Sequence, residues 1–448
     1  MPLVRPFRGL SYALDRFGAA TVTDRVRLPE EPDRHPGRLA DLTDIACPPY
    51  DVIDDQQRER LLARSPYNAV RLEFSSADEP HADAAATLHA WLADGILERR
   101  REPTVYYYSH ATPTSPNDPS VHGVLARVAL EPYGAEMRAH ENTMPAPKAD
   151  RLGLLRATQT QLSPILAIYF DKSERYRHVM ARSWTDEWRA RDDDGLLHAL
   201  SPVEPDDRLV GYLSRQTLFM ADGHHRYETA LAHQAEVRAR TQHSNAPPGS
   251  LGADWIMAVL VNAELEELQI RATHRLLRNV DAAALRALVD DPGPLFQGRS
   301  VAVDELPARM AELREGPDVV FGLVTDRDEG WLLVGNRQAI ASRMRDEPVS
   351  SAVQRLDLAV LHAAILGDRL GLHGQAGATA DAILYTKDPA DAIARVRSGE
   401  VQAAILVRPT RLDQLAAVAT ARDVMPQKST YFYPKLLTGL VFYSLDEE

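Results

Sequence analysis

Apolar positions along the chain fall into short continuous runs and helical spacings, separated by turn residues. Trp255–Val261 is apolar throughout and predicts a buried strand; Ser163–Phe170 and Leu218–Ala221 predict two more. Val105–Tyr108 and Val124–Leu130 predict a hairpin across the turn-rich Pro113–Pro119. Ile45–Cys47 reads as a strand running into a rigid loop, Pro48–Ile53, because paired prolines block both a helix and a central ladder. Leu88, Trp91, Leu92 and Ile96 give Thr87–Leu97 a helical period. Further helices are expected over Lys148–Gln161, behind Pro145 and Pro147, and over Thr185–Arg191 and Arg226–Gln242. Beyond Asn279, helices are expected at Ala282–Val289 and Leu356–Leu366, and a hairpin at Val319–Val324 with Gly330–Val334. Ile383–Thr386, Pro389–Val396 and Ala403–Val407 read as β-α-β.

At 448 residues the chain exceeds one ordinary domain, and 44% hydrophobic with 26% charged residues describes a globular protein. The 51 Lys and Arg against 64 Asp and Glu leave a formal charge of -13, which argues against wholesale wrapping of nucleic acid or adhesion to anionic membrane. One cysteine, Cys47, excludes an intramolecular disulfide and a Cys-based zinc cluster. The opening residues Met1–Phe7 lack the apolar run of a secretory leader, and no segment approaches the ~20 apolar residues of a membrane span. The expectation is a cytoplasmic protein. The phosphate-loop, dinucleotide, zinc-protease and serine-hydrolase signatures are all missing.

The densest chemistry is Ala221-Asp222-Gly223-His224-His225-Arg226-Tyr227-Glu228-Thr229-Ala230-Leu231, placed between a strand and the first turn of a helix. Unpaired N–H groups and the helix dipole favour an anion there, and Arg226 adds a planar donor fork suited to phosphate. Asp222 is a candidate Mg²⁺ ligand, with helix capping as the plainer alternative. A second cluster is His140-Glu141-Asn142-Thr143 with Lys148, Arg151 and Arg156; Lys148 and Arg151 share a helix face, with Leu152 and Leu155 as its buried side. Thr273-His274-Arg275 is a third, weighed evenly against a surface loop. The fourth is Met425–Lys435, which carries Lys428, Ser429 and Thr430 among prolines and aromatics. Asp51, on the Pro48-Pro49-Tyr50-Asp51 loop, is a candidate general base, since a fixed carboxylate is the simplest proton acceptor; a turn cap is its alternative.

Taken together these motifs resemble a bacterial and archaeal family related to the ParB/sulfiredoxin superfamily, long known only as a domain of unknown function, whose characterised members are free-serine kinases. The resemblance runs from Arg5-Pro6-Phe7-Arg8-Gly9 through Pro48–Ile53, His140–Leu155, Ala221–Leu231 and Thr273–Arg275 to Met425–Leu437. It implies an α+β fold, with a ParB/sulfiredoxin-like mixed α/β core over 1–278 and a C-terminal α/β region over 279–448 whose segment 422–438 returns to the site. Where sulfiredoxin has a cysteine in Gly-Cys-His-Arg, this chain has Gly223-His224-His225-Arg226, so sulfinate repair is disfavoured.

The implied reaction is phosphorylation of free L-serine to O-phospho-L-serine, a step of serine metabolism and cysteine biosynthesis, with pyrophosphate as donor and Mg²⁺; ADP and ATP are alternative donors. On the resemblance, His224, His225 and Arg226 grip the donor with Mg²⁺ held by Asp222. Lys148, Arg151, Lys428, Ser429 and Thr430 surround the phosphate. His140, Tyr227, Glu228, Thr273, His274 and Arg275 contact the amino acid, and Asp51, with Glu141 in reserve, accepts the proton. Two other classes stay open: a ParB-like nucleotide- or DNA-binding regulator, and a metal-dependent hydrolase or phosphatase using His224, His225 and His274. No membrane or nucleic-acid partner is expected.

Overall fold

The computed structural model describes residues 3–17, 20–21, 38–116, 121–134, 136–141, 143, 145–173, 187–240, 245–313, 316, 318–325, 328–373 and 381–446. The chain divides into two compact units. One comprises 1–139, 143–268 and 434–448; the other comprises 140–142 and 269–433. The change of character read near Asn279 lies inside the second.

The first unit is built on a long mixed sheet. Its middle consists of β1 (Val105–His110), β2 (Val121–Ala129), β3 (Ile165–Tyr169), β4 (Leu218–Asp222) and β5 (Trp255–Asn262), in the order β1-β2-β5-β3-β4. β5 lies antiparallel to β2 and parallel to β3, and every one of its residues is buried, which explains its unbroken apolar run. Beyond β1 the sheet continues through Leu197–Val203, Glu187–Arg191, Arg38–Asp41 and Ala20–Thr21. Two helices, α1 (Pro145–Thr158) and α2 (His224–Ala239), pack on each other, and α1 also packs on the helix Pro80–Ala93. The core joins Val124, Ala126 and Val128 of β2 to Ile165 and Ala167 of β3, Met220 of β4, and Tyr227 and Ala230 of α2.

The second unit carries β6 (His274–Leu277), β7 (Phe296–Val301), β8 (Val320–Thr325), β9 (Gly330–Gly335), β10 (Ile383–Thr386), α3 (Pro389–Arg397) and β11 (Ala403–Leu406). Its sheet runs β7-β9-β8-β11-β6-β10. The β10-α3-β11 pattern read from the sequence is present but split: β6 lies between the two strands, antiparallel to both. Leu276, Val324, Ile393 and Leu406 share its core. Helices on mixed, largely antiparallel sheets fit the α+β expectation.

Three local readings are corrected. Residues 187–191 of the helix expected at Thr185–Arg191 form a strand, with 185 and 186 outside the described residues. Trp188 and Ala190 are buried while Arg191 is exposed, a period of two that the helical reading overlooked. Cys47 makes a single bridge with Thr438 rather than a strand. Leu356–Leu366 is a short α-helix, Asp357–Val360, continued by a π-helical stretch, Leu361–Gly367. Residues 117–119 of the expected hairpin loop and 241–242 of the long helix lie outside the described residues.

Candidate active site

β4 ends at Asp222 and α2 begins at His224, so a single residue, Gly223, turns the chain. Its φ of +97° is left-handed, and a Cβ there would lie 2.8 Å from Ile165 Cγ2; glycine alone meets both demands. Gly223, not Asp222, is the N-cap, and no side chain caps the first turn of α2. Asp222 instead joins two cations. Its Oδ2 accepts from Arg226 Nη2 at 2.7 Å, and its Oδ1 from Lys435 Nζ. Burial pushes this carboxyl up, but the opposing pull of Lys435 and then Arg226 prevails and holds it below the usual carboxylate range. The other arm of Arg226 donates to the Pro164 carbonyl.

Beside this turn lies a groove lined on its polar side by Tyr50, Glu73, Arg151, Thr160, Gln161, Ser163, Arg226 and Thr229 and on its apolar side by Leu154, Leu155, Leu162, Ala230 and Ile256. Arg151 is buried; its Nη1 donates to the Glu73 carbonyl at 2.9 Å and to Glu73 Oε2 at 3.1 Å. Its Nε donates to Asp150 Oδ2 at 2.9 Å, and its guanidinium lies 4.2 Å from the Tyr50 ring centroid. Burial, and next the Asp51 charge, push the Tyr50 phenol up to about 12, so it remains a hydrogen-bond donor at neutral pH. Thr229 Oγ1 is buried and has no hydrogen-bond partner among the described residues. A groove occupant that bonds to it removes a penalty of about 1–3 kcal/mol.

Glu73 escaped the sequence reading. It is 3% exposed and its Oε1 accepts from Thr438 Oγ1 at 2.9 Å, so it fixes Arg151 from one side and the C-terminal segment from the other. Lys148 points to α2, where Glu228 accepts from its Nζ at 2.9 Å and from Thr143 Oγ1 at 2.6 Å. Every cation of this site therefore faces a carboxylate: Lys148 with Glu228, Arg151 with Glu73 and Asp150, Arg226 and Lys435 with Asp222.

Not every expected residue reaches the groove. Asp51 is exposed on the turn Tyr50–Val52 and does not line it. Tyr227 belongs to the core: its hydroxyl donates to the Glu131 carbonyl at 2.7 Å, and its ring stacks on Tyr133 at 4.9 Å. The buried side of α1 is Leu154 and Leu155; Leu152 is only half-buried. His224 is buried and His225 half-buried at the start of α2.

The remaining candidates assemble in the second unit. Arg275 is fully buried, donating from Nη1 to the Thr273 carbonyl and from Nη2 to the Gln427 and Lys428 carbonyls at 2.9 and 3.3 Å. It thereby folds the Met425–Lys428 loop, in which Lys428 is exposed at φ +56°. His274 Nδ1 accepts from Val407 N at 3.2 Å, which leaves its ring proton on Nε2; burial, then Arg275, lower it to about 4. His140 Nε2 bonds Thr430 Oγ1 at 2.9 Å, Thr410 Oγ1 donates to the Ser429 carbonyl at 2.8 Å, and Glu141 Oε1 accepts from Lys428 N at 3.5 Å.

A family model described as "Protein of unknown function (DUF1015)" matches residues 29–359, well over half the chain. The chain belongs to the DUF1015 family. No curated protein matches it in sequence. Among solved structures, a conserved hypothetical protein from Pyrococcus furiosus is similar at 10% identity and TM-score 0.33, covering 69% of this chain and 94% of that one. A free serine kinase in complex with AMP is similar at 10% and 0.33, covering 68% and 89%. SbnI with a C-terminal truncation, from Staphylococcus aureus, is similar at 10% and 0.35, covering 70% and 85%.

For this DUF1015 chain, Asp222 does not fit a resident Mg²⁺: Lys435 and Arg226 already hold its two oxygens. Among the described residues no three His, Cys, Asp or Glu side chains gather as a metal cage. Nor is any helix among them long and apolar enough to cross a membrane.

Proposed function

We propose that the protein is a phosphotransferase that moves a phosphoryl group to the hydroxyl of free L-serine, giving O-phospho-L-serine. The observation that carries this reading is the meeting, within the first unit, of Arg226, Arg151 and Tyr50 around one groove. Two guanidiniums and a phenol are donors suited to phosphate oxygens. The motif resemblance supplies the acceptor, serine, and a ParB/sulfiredoxin-like character for the core.

In this reaction the serine oxygen bonds to phosphorus as the bond to the leaving phosphate breaks, and the hydroxyl proton passes to a carboxylate. Asp51, next in sequence to groove-lining Tyr50, is the proposed acceptor. Catalysis is mainly positioning and neutralisation of charge. Pyrophosphate is the favoured donor, and Mg²⁺ enters chelated by its oxygens as part of the substrate, since Mg²⁺ is commonly held by substrate phosphates with few protein ligands. The apolar wall of Leu154, Leu155, Leu162, Ala230 and Ile256 favours a second reading, a nucleoside phosphate such as ADP, whose base would cover that wall. Incubation with serine, Mg²⁺ and each donor in turn, followed by detection of phosphoserine, tests both; serine left unphosphorylated by pyrophosphate, ADP and ATP alike contradicts the kinase reading.

A further inference from the structure

Two helices of the first unit line the groove in the same register. α1 contributes Arg151, Leu154 and Leu155, and α2 contributes Arg226, Thr229 and Ala230, each set spaced i, i+3, i+4 along one helix face. Each set begins with a guanidinium; beyond it α1 offers leucine, whereas α2 offers a hydroxyl. A helical threonine ordinarily donates to the carbonyl four residues back, as Thr158 of α1 does to Leu154 at 2.9 Å. Thr229 makes no such bond: its Oγ1 is buried and has no partner among the described residues. Two polar neighbours in the groove wall are already engaged. Thr160 Oγ1 donates to the Thr158 carbonyl at 3.0 Å, and the Gln161 amide bonds the Trp255 carbonyl and the Met257 N–H, both at 2.7 Å.

We propose that Thr229 binds the second phosphate of a diphosphate ligand, donating its hydroxyl hydrogen to an oxygen further along α2 than the phosphate held by Arg151 and Arg226. Three residues separate Arg226 from Thr229, ~4.5 Å along the axis of α2. Helical side chains lean toward the N-terminus, which carries the longer arginine further from the threonine. A single phosphate against the guanidiniums therefore falls short of Thr229, and a diphosphate spans the interval. A charged oxygen there supplies the partner that the buried hydroxyl lacks. Free pyrophosphate and the diphosphate of a nucleotide share this chemistry. The inference rests on the anion-binding part of the proposed function and adds to it a binding residue and a length requirement.

Titration calorimetry of the full chain with orthophosphate, pyrophosphate and ADP, each with Mg²⁺, tests it. Thr229→Val is expected to weaken diphosphate binding by about tenfold or more, the worth of one hydrogen bond to a charged acceptor, and to leave orthophosphate within about twofold. Thr229→Ser, which restores the hydroxyl, is expected to recover the diphosphate affinity. A response to pyrophosphate identifies the free diphosphate as sufficient; a response to ADP alone identifies a nucleotide. Should Thr229→Val fail to fold, Thr229→Ala takes its place, and where orthophosphate binds too weakly to measure, the serine rescue decides. Wild-type diphosphate affinity in Thr229→Val, an equal loss for orthophosphate, no rescue by serine, or no binding of either diphosphate overturns the proposal. Loss and rescue of binding without phosphoserine formation removes the kinase reading and leaves this one; phosphoserine formation with the same donor KM in wild type and Thr229→Val does the reverse.

Discussion

Glu73 and Arg151 stand 78 positions apart in the chain, yet the Arg151 guanidinium donates to both the carbonyl and the carboxylate of Glu73. Both side chains are buried, so the pair sets the floor of the groove rather than decorating its rim. Removing the Glu73 carboxylate leaves the buried guanidinium with only the half-exposed Asp150 and strands the Thr438 hydroxyl. Glu73→Ala is expected to lower stability by roughly 3 kcal/mol, checked by urea denaturation. A loss within 0.5 kcal/mol, the range of an ordinary surface change, would deny the pair that role.

Gly223 answers a backbone demand and a packing demand at once. Alanine there is expected to cost about 1–3 kcal/mol, because left-handed φ and the approach to Ile165 are both unfavourable. Thermal melts of Gly223→Ala against a control such as Gly195→Ala, where a Cβ meets nothing within 4 Å, separate packing from φ alone, since both glycines have positive φ. The Gly223 variant should lose more.

The orphaned hydroxyl of Thr229 predicts a change in the opposite direction. Thr229→Val keeps the shape and removes a buried atom with no partner among the described residues. The ligand-free protein should gain about 1 kcal/mol in urea denaturation, while pyrophosphate or ADP affinity falls.

How much of this was legible in the sequence depended on how local each cause was. β5 announced itself because both its faces are covered, and α2 because Gly223 and the residues after it form one contiguous string. Glu73 left no mark: Val70–Glu73 is one short turn of helix, and the partners that make its carboxylate significant, Arg151 and Thr438, are remote in sequence. Lys435 was visible as part of a lysine- and aromatic-rich stretch, but only folding brings it to Asp222. Conversely, Tyr227 sat in the most chemical-looking string and proved to be core, because the turn of α2 that carries it faces Tyr133. Contiguity in sequence does not place side chains on one face of a helix.

Histidine 274 supplies a pH test for the second unit. Its folded value, about 4, lies below the unfolded value of about 6.5, so between these pH values the unfolded chain binds more protons at this residue. Its contribution to stability therefore falls as pH drops from about 6.5 to about 4, by at most on the order of 3 kcal/mol. Urea denaturation across that range should show a steeper decline for wild type than for His274→Asn; parallel curves would show that His274 ionises equally easily in both states.

The most direct measurement is phosphoserine itself. Purified protein given L-serine, Mg²⁺ and pyrophosphate should release O-phospho-L-serine and orthophosphate in equal amounts, and Arg226→Ala should lose most of that turnover. If wild-type protein binds pyrophosphate but leaves serine unmodified with pyrophosphate, ADP and ATP, the groove beside Gly223 is not a serine kinase site.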